Sequence, residues 1–117
     1  MNTIEKAVAT VNDINALYPI ALSSEEVAVL HLINDAGNKF GIAIEIESDS
    51  NGDAVLEIYK GNENDITKMV KEGESIDLVN GMNLIDIESP FLFLNLKITC
   101  QYSYSVTIKS TNYIVRS

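Results

Sequence analysis

The chain has 117 residues, 46% of them hydrophobic and 21% charged, with a net charge of −9 and a pI near 4.4. That length holds one core, and the composition is that of a folded domain, not a disordered segment. The eight Lys and Arg are scattered from Lys6 to Arg116 with no cluster to neutralise phosphates, which excludes a stand-alone nucleic-acid binder.

Residues 3–18 carry the one helical pattern. Ile4, Ala7, Val8, Val11, Ile14 and Leu17 recur at three- and four-residue spacings. Asn2 stands three before Glu5 as a capping box, and Pro19 ends the run. The spacing predicts a helix, with an extended arm as its competitor because Val8, Thr10 and Val11 are β-branched. We therefore divide the chain into an arm or helix at 1–18 and a single β domain at 19–117.

From Pro19 onward the pattern is β. Ile20 to Leu22 is a short strand, and Val27 to Ile33, apolar on both faces, reads as a central or covered one. Phe40, Ile42, Ile44 and Ile46 alternate with Gly41, Ala43, Glu45 and Glu47, a half-buried strand. Asn51-Gly52 predicts a hairpin joining it to Ala54–Tyr59. Ile66 to Val70 is a weak strand. Ser75–Val79, Asn80-Gly81 and Met82–Ile87 predict a second hairpin, and Ser89-Pro90 leads into the longest stretch.

That stretch runs from Leu92 to Ile108. Its even positions (Leu92, Leu94, Leu96, Ile98, Cys100, Tyr102, Tyr104, Val106, Ile108) are apolar or aromatic, while Asn95, Lys97, Thr99, Gln101 and their successors are polar. At ~3.3 Å per residue it would span roughly 55 Å, so a bend or a sheet switch near Thr99 to Gln101 is expected. Thr111-Asn112 breaks it, leaving Tyr113–Val115 as a last edge segment. The whole reads as an all-β fold, a β-sandwich or jelly-roll-like domain.

Little of this suggests chemistry. Cys100 is alone and on the apolar face, so a buried thiol is expected and a disulfide is impossible within the chain. Asp49-Ser50-Asn51-Gly52-Asp53 invites calcium but fails the EF-hand spacing, with Lys60 where a bidentate Glu belongs. His31 has no second His and reads as a packing residue. Glu45, Glu47 and Glu57 would cluster if residues 40–59 form a hairpin, on an outer face where charge rows are ordinary. We expect no enzyme, no catalytic residue, no metal and no cofactor. Tyr102 and Tyr104 share the face of Val106 and Ile108 and are expected in the core.

The apolar residues on the wrong face are more informative. Phe91 and Phe93 oppose Leu92 and Leu94, so both faces of that strand's start are greasy. They are either a second core layer or covered by the chain's own N-terminal segment, or else a subunit contact together with Ile4, Val8 and Val11 of that segment. No basic n-region opens the chain and no apolar run reaches 18 residues, so neither signal peptide nor membrane span is expected.

Four features resemble small all-β virion accessory proteins of tailed bacteriophages, the head-decoration or auxiliary capsid proteins. They are the Asn-Gly turns, Leu56–Gly61, Gly73–Leu78 and the long Ser/Thr-and-Tyr strand. The resemblance implies a structural protein of the virion or host cytoplasm that binds copies of itself or a capsid, with no nucleic acid and no membrane as partner. Carbohydrate-binding β-sandwiches share the texture, so a carbohydrate or other ligand is the alternative partner; the chain lacks the Trp such modules usually expose.

Overall fold

The computed structural model describes residues 3–10, 20–35, 39–101 and 104–115, with the backbone alone at 3–10 and 112–115. The strands are β1 (Thr3–Thr10), β2 (Ile20–Leu22), β3 (Val27–Ile33), β4 (Lys39–Ser48), β5 (Ala54–Gly61), β6 (Val70–Lys71), β7 (Ile76–Leu78), β8 (Gly81–Glu88), β9 (Phe93–Cys100) and β10 (Val106–Val115). One sheet runs β1-β3-β9-β5-β6, with β7 also paired to β5; the other runs β2-β10-β4-β8. Leaving β1 and β6 aside, the orders β3-β9-β5-β7 and β2-β10-β4-β8 are the two interleaved four-stranded sheets of a jelly roll. Among the described residues no helix is long and apolar enough to cross a membrane.

The 92–108 stretch becomes two strands in two sheets, β9 ending at Cys100 and β10 starting at Val106. A straight run would have outgrown a molecule whose longest axis is 36 Å. Leu94, Leu96, Ile98 and Cys100 are fully buried from one sheet, and Val106 and Ile108 from the other. Leu92 departs from the pattern: it precedes β9 and is 52% exposed. The expected break at Thr111-Asn112 is also absent, since β10 pairs with β4 through Val115. The irregularity lies earlier, where the register shifts between Ile108 and Ser110 and leaves Lys109 as the extra residue. One inserted residue reverses facing, so Thr111 turns into the core although the alternation before it put odd positions outside.

Among the described residues that hydroxyl has no hydrogen-bond partner. Burying an unpaired hydroxyl costs free energy that an isosteric methyl does not. Thr111→Val is expected to raise the unfolding free energy by about 1 kcal/mol, read from urea midpoints at constant m.

Both Asn-Gly turns depart from expectation together. β4 and β5 lie in different sheets, as do β7 and β8, so neither turn closes a hairpin; both are corners crossing the sandwich. The local chemistry still holds, because Gly52 and Gly81 sit at φ +84° and +104°. The corners dock on each other: Asn80 N–H donates to Asn51 Oδ1 at 2.8 Å, Ser48 N–H to Asn80 Oδ1 at 3.2 Å, and Gly52 N–H to Leu78 O at 2.9 Å. Asn83, 7% exposed on the inward face of β8, ties the second corner down. Its Nδ2 donates to Ile44 O at 3.1 Å and Val79 O at 2.9 Å, and its Oδ1 accepts from Val79 N–H at 2.7 Å.

Two further expectations change. Residues 3–10 form β1, parallel to β3 from Thr3↔Val27 to Thr10↔Ile33, so the extended arm replaces the helix there; residues 11–18 lie outside the described residues. Residues 66–68 form a single 3₁₀ turn capped by Asp65, and the strand begins at Val70.

Candidate functional site

The residues singled out for contact meet at one end of the β1-β3-β9-β5 sheet. Ser89 is fully buried and its Oγ accepts the Phe91 N–H at 3.1 Å. Asn34, just past β3, donates from Nδ2 to Phe91 O at 3.3 Å and from its N–H to Leu92 O at 2.7 Å. These bonds fix the 89–92 loop and hold Phe91 half-buried in the wall of an open cavity of about 320 Å³. Lys60, Gly61, Asn62, Glu63, Lys68 and Val70 complete the wall, and Val70 is 61% exposed. Phe93 is half-buried on the sheet's outer face, paired with Ile33 on one side and Gly61 on the other. A Cβ at Gly61 would stand 3.0 Å from Met69 Cγ, so the glycine makes room for Met69 beside Phe93. Neither phenylalanine joins the buried core.

The N-terminal candidates reach the same sheet from its edge. β1 carries Ile4 opposite Ala28 and brings Thr10 level with Ile33, in the cross-strand row that contains Phe93. The side chains of Ile4 and Val8, and the whole of Val11, lie outside the described residues.

Further along the same face the rows turn polar. His31, Asn95 and Tyr59 align across β3, β9 and β5, and Val29, Lys97 and Glu57 align beside them. His31 Nδ1 lies 3.0 Å from Asn64 Oδ1 and 3.1 Å from Asn95 Oδ1, so this nitrogen carries the proton and donates to both. The bond to Asn64 ties the 61–65 loop to the sheet. Asn95 is fully buried, and among the described residues its Nδ2 has no partner. Glu57 gathers Tyr59 Oη at 3.2 Å, Lys71 Nζ at 3.4 Å and Lys97 Nζ at 3.7 Å. Partial burial, then the Glu57 charge, pushes the Tyr59 phenol above its ordinary pKa.

The carboxylate cluster considered from sequence does not form. Glu45 and Glu47 are on β4, bound to Ser110 Oγ at 3.4 Å and Lys109 Nζ at 3.6 Å, while Glu57 faces out from the other sheet. The 49–53 loop spends the buried Asp53 carboxylate on Ser50, accepting its N–H at 3.0 Å and its Oγ–H at 2.8 Å. Asp65 likewise takes Thr67 Oγ–H at 2.6 Å and its N–H at 3.0 Å, the hydroxyl bond first holding its carboxyl below the usual range. Among the described residues no three His, Cys, Asp or Glu are placed to hold a metal. Cys100 is buried, its thiol pushed up mainly by burial, and Sγ donates to Tyr104 O at 3.2 Å. Tyr104 itself departs from the core reading and is 41% exposed at the sheet-crossing corner; Tyr102 lies outside the described residues.

Lys60 is the residue that sequence reading passed over. It follows Leu56 and Ile58 at the inward period of β5, yet its Nζ binds Glu72 at 3.0 Å and Glu88 O at 3.1 Å, joining the two sheets at their open end. Beside it lies an open cavity of about 480 Å³ lined by Lys39, Phe40, Glu72, Asp86, Ile87 and Glu88.

No protein-family model matches the chain, and no curated protein matches it significantly. Solved structures are similar to it. The insecticidal delta-endotoxin Cry8Ea1 from Bacillus thuringiensis is 15% identical with a TM-score of 0.50, over 85% of this chain and 20% of that one. The chain thus spans about a fifth of that protein, and what the likeness shows is the fold. PliG from Aeromonas hydrophila, a periplasmic inhibitor of g-type lysozyme, is 10% identical with a TM-score of 0.47, over 96% of each chain. TmCBM61, solved with β-1,4-galactotriose, is 6% identical with a TM-score of 0.48, over 90% of this chain and 75% of that one.

Proposed function

We propose that the chain is a non-enzymatic assembly protein that buries the Phe91–Phe93 end of its β1-β3-β9-β5 sheet against further copies of itself on a larger shell. The observation that supports this is the pinned loop at 89–92. Hydrogen bonds from Ser89 and Asn34 hold Phe91 in a cavity wall beside the exposed Val70, with Phe93 and Ile33 continuing the apolar surface. Preorganised half-buried aromatics are what a contact surface needs, because ordering them on binding then costs little. The resemblance to virion accessory proteins suggests a capsid as the shell.

Phe91→Glu with Phe93→Glu is the test, read by light scattering after size exclusion and by far-UV circular dichroism. The expected result is an unchanged β spectrum and a smaller solution mass than wild type. A variant that unfolds, or one that keeps its assembly, overturns the proposal, as does a wild type that is a 12.9 kDa monomer at all concentrations.

The polar rows on the same face support a second reading, a module for carbohydrate or another hydroxyl-rich ligand. Tyr59 offers a ring and a hydroxyl, and Glu57, Lys71 and Lys97 offer charged partners. Binding on a glycan array that Tyr59→Ala abolishes is the outcome expected there, and a flat array argues against it.

A further inference from the structure

An asparagine followed by glycine is the pair at which a protein chain most readily rearranges unaided, because glycine puts no side chain in the way of its own amide nitrogen. This chain carries the pair twice, at Asn51-Gly52 and Asn80-Gly81. Both asparagines are exposed, and a Cβ on either glycine would meet nothing within 4 Å. Space does not distinguish the two corners. Hydrogen bonding does.

Asn51-Gly52 is held by three bonds. Asn51 Oδ1 accepts Asn80 N–H at 2.8 Å, Gly52 N–H donates to the carbonyl of buried Leu78 at 2.9 Å, and Gly52 O accepts Gln101 Nε2 at 2.7 Å. The side-chain amide and the nitrogen that would attack it are thus both tied to other groups. Asn80 is held more loosely. Its Oδ1 accepts Ser48 N–H at 3.2 Å, and Gly81 faces Ile46 in the last pair of the β4–β8 ladder. The end of a ladder is where local opening takes least free energy. Asn83 Nδ2 bonds to the carbonyls of Val79 and Gly81, which restrains neither the Asn80 side chain nor the Gly81 nitrogen.

We infer that Asn80 is a site of spontaneous covalent modification in the folded protein, passing through a succinimide to isoaspartate and aspartate, while Asn51 is shielded. Hydroxide takes the Gly81 N–H proton, and the nitrogen attacks Asn80 Cγ. The new C–N bond closes a ring, the Cγ–Nδ2 bond breaks, and Nδ2 leaves as ammonia. Water then opens the ring, giving aspartate at the Cγ carbonyl or isoaspartate at the main-chain carbonyl. Nothing is oxidised or reduced. Isoaspartate lengthens the backbone by a methylene immediately ahead of β8, which shifts Gly81 against Ile46 and draws Val79 off the Asn83 clamp. The site lies at the opposite end of β8 from the 89–92 loop, so it stands apart from the Phe91 contact.

Ageing the folded chain at mildly alkaline pH, followed by proteolysis and mass spectrometry, tests the inference, with isoaspartate told from aspartate by fragmentation. Conversion at Asn80 is expected to run at least about tenfold faster than at Asn51, the factor that the additional hydrogen bonds at the first corner supply. In urea the two sites are expected to convert at comparable rates. The aged, isoaspartate-bearing protein is expected to unfold at lower urea than fresh protein. Fresh Asn80→Asp is expected to keep the wild-type midpoint, because its carboxylate still accepts Ser48 N–H on a backbone of normal length. Equal or faster conversion at Asn51 in the folded chain overturns the inference. So does an Asn80 that persists when folded while it converts in urea, or an aged protein whose midpoint is unchanged.

Discussion

Asn83→Ala is expected to lower the free energy of unfolding by about 3 kcal/mol, the larger part of what a small domain can lose before its folded population suffers. The cause is not lost apolar contact. Asn83 is a polar residue in an inward position, and it works as a clamp with three backbone partners on two elements. Truncation leaves Ile44 O buried without its donor, and it frees both the N–H and the C=O of Val79. An unsatisfied buried group carries its full desolvation penalty, about 1–3 kcal/mol. The corner at Val79–Gly81 also loses its anchor to β4. Urea unfolding followed by circular dichroism measures the loss. A change under about 1 kcal/mol would mean that water replaces the side chain in all three bonds.

Leu96→Ala is expected to cost about 4 kcal/mol, toward the upper end for such truncations. Leu96 is fully buried at the middle of β9, level with Leu30 of β3 and Ile58 of β5, both also in the core. β9 is hydrogen-bonded along both edges, so its backbone cannot shift inward to fill the space, and a cavity that cannot collapse keeps its full penalty. The same experiment on Ile76, packed at the margin of the core on short β7, is expected to show a smaller effect. Equal losses at the two positions would show that the centre of the sheet relaxes as readily as its edge.

How legible was this molecule in its sequence? Period-two patterning is a local signal of burial, and it was accurate wherever burial alone sets the facing: Phe40 to Ile46, Ala54 to Ile58 and Leu94 to Cys100 all face as their alternation implies. The sheet switch within 92–108 was legible because length alone forbade a straight strand. What alternation does not carry is a partner. Asn51-Gly52 and Asn80-Gly81 encode a positive φ and a change of direction, and the same chemistry serves a hairpin or a corner between sheets. Strand choice is made at long range. The inserted Lys109 left no mark, because a bulge is defined against the opposing strand. Residues 3–10 carried helical spacing and β-branched side chains at once, and pairing with β3 decided between them. At the candidate site, the oddity of Phe91 and Phe93 was visible as apolar residues of the wrong parity. The pinning by Asn34 was not, since it joins residues more than fifty positions apart.

The interleaved strand order also governs how the chain must come into being. β3 waits for β9, and β2 and β4 wait for β10. Apart from β6 and β7 beside β5 and β8 beside β4, the strands of the first half find no antiparallel partner until the last quarter of the chain is made. Before those strands are made, the segment through Ser48 holds no more than the parallel β1–β3 pair, and β2 and β4 are still without partners. Closure of such distant pairs is slow, of order milliseconds to seconds for folds dominated by non-local pairing. Folding of this domain therefore waits for its own last strands, and without β9 the β1-β3-β9-β5 sheet lacks its centre.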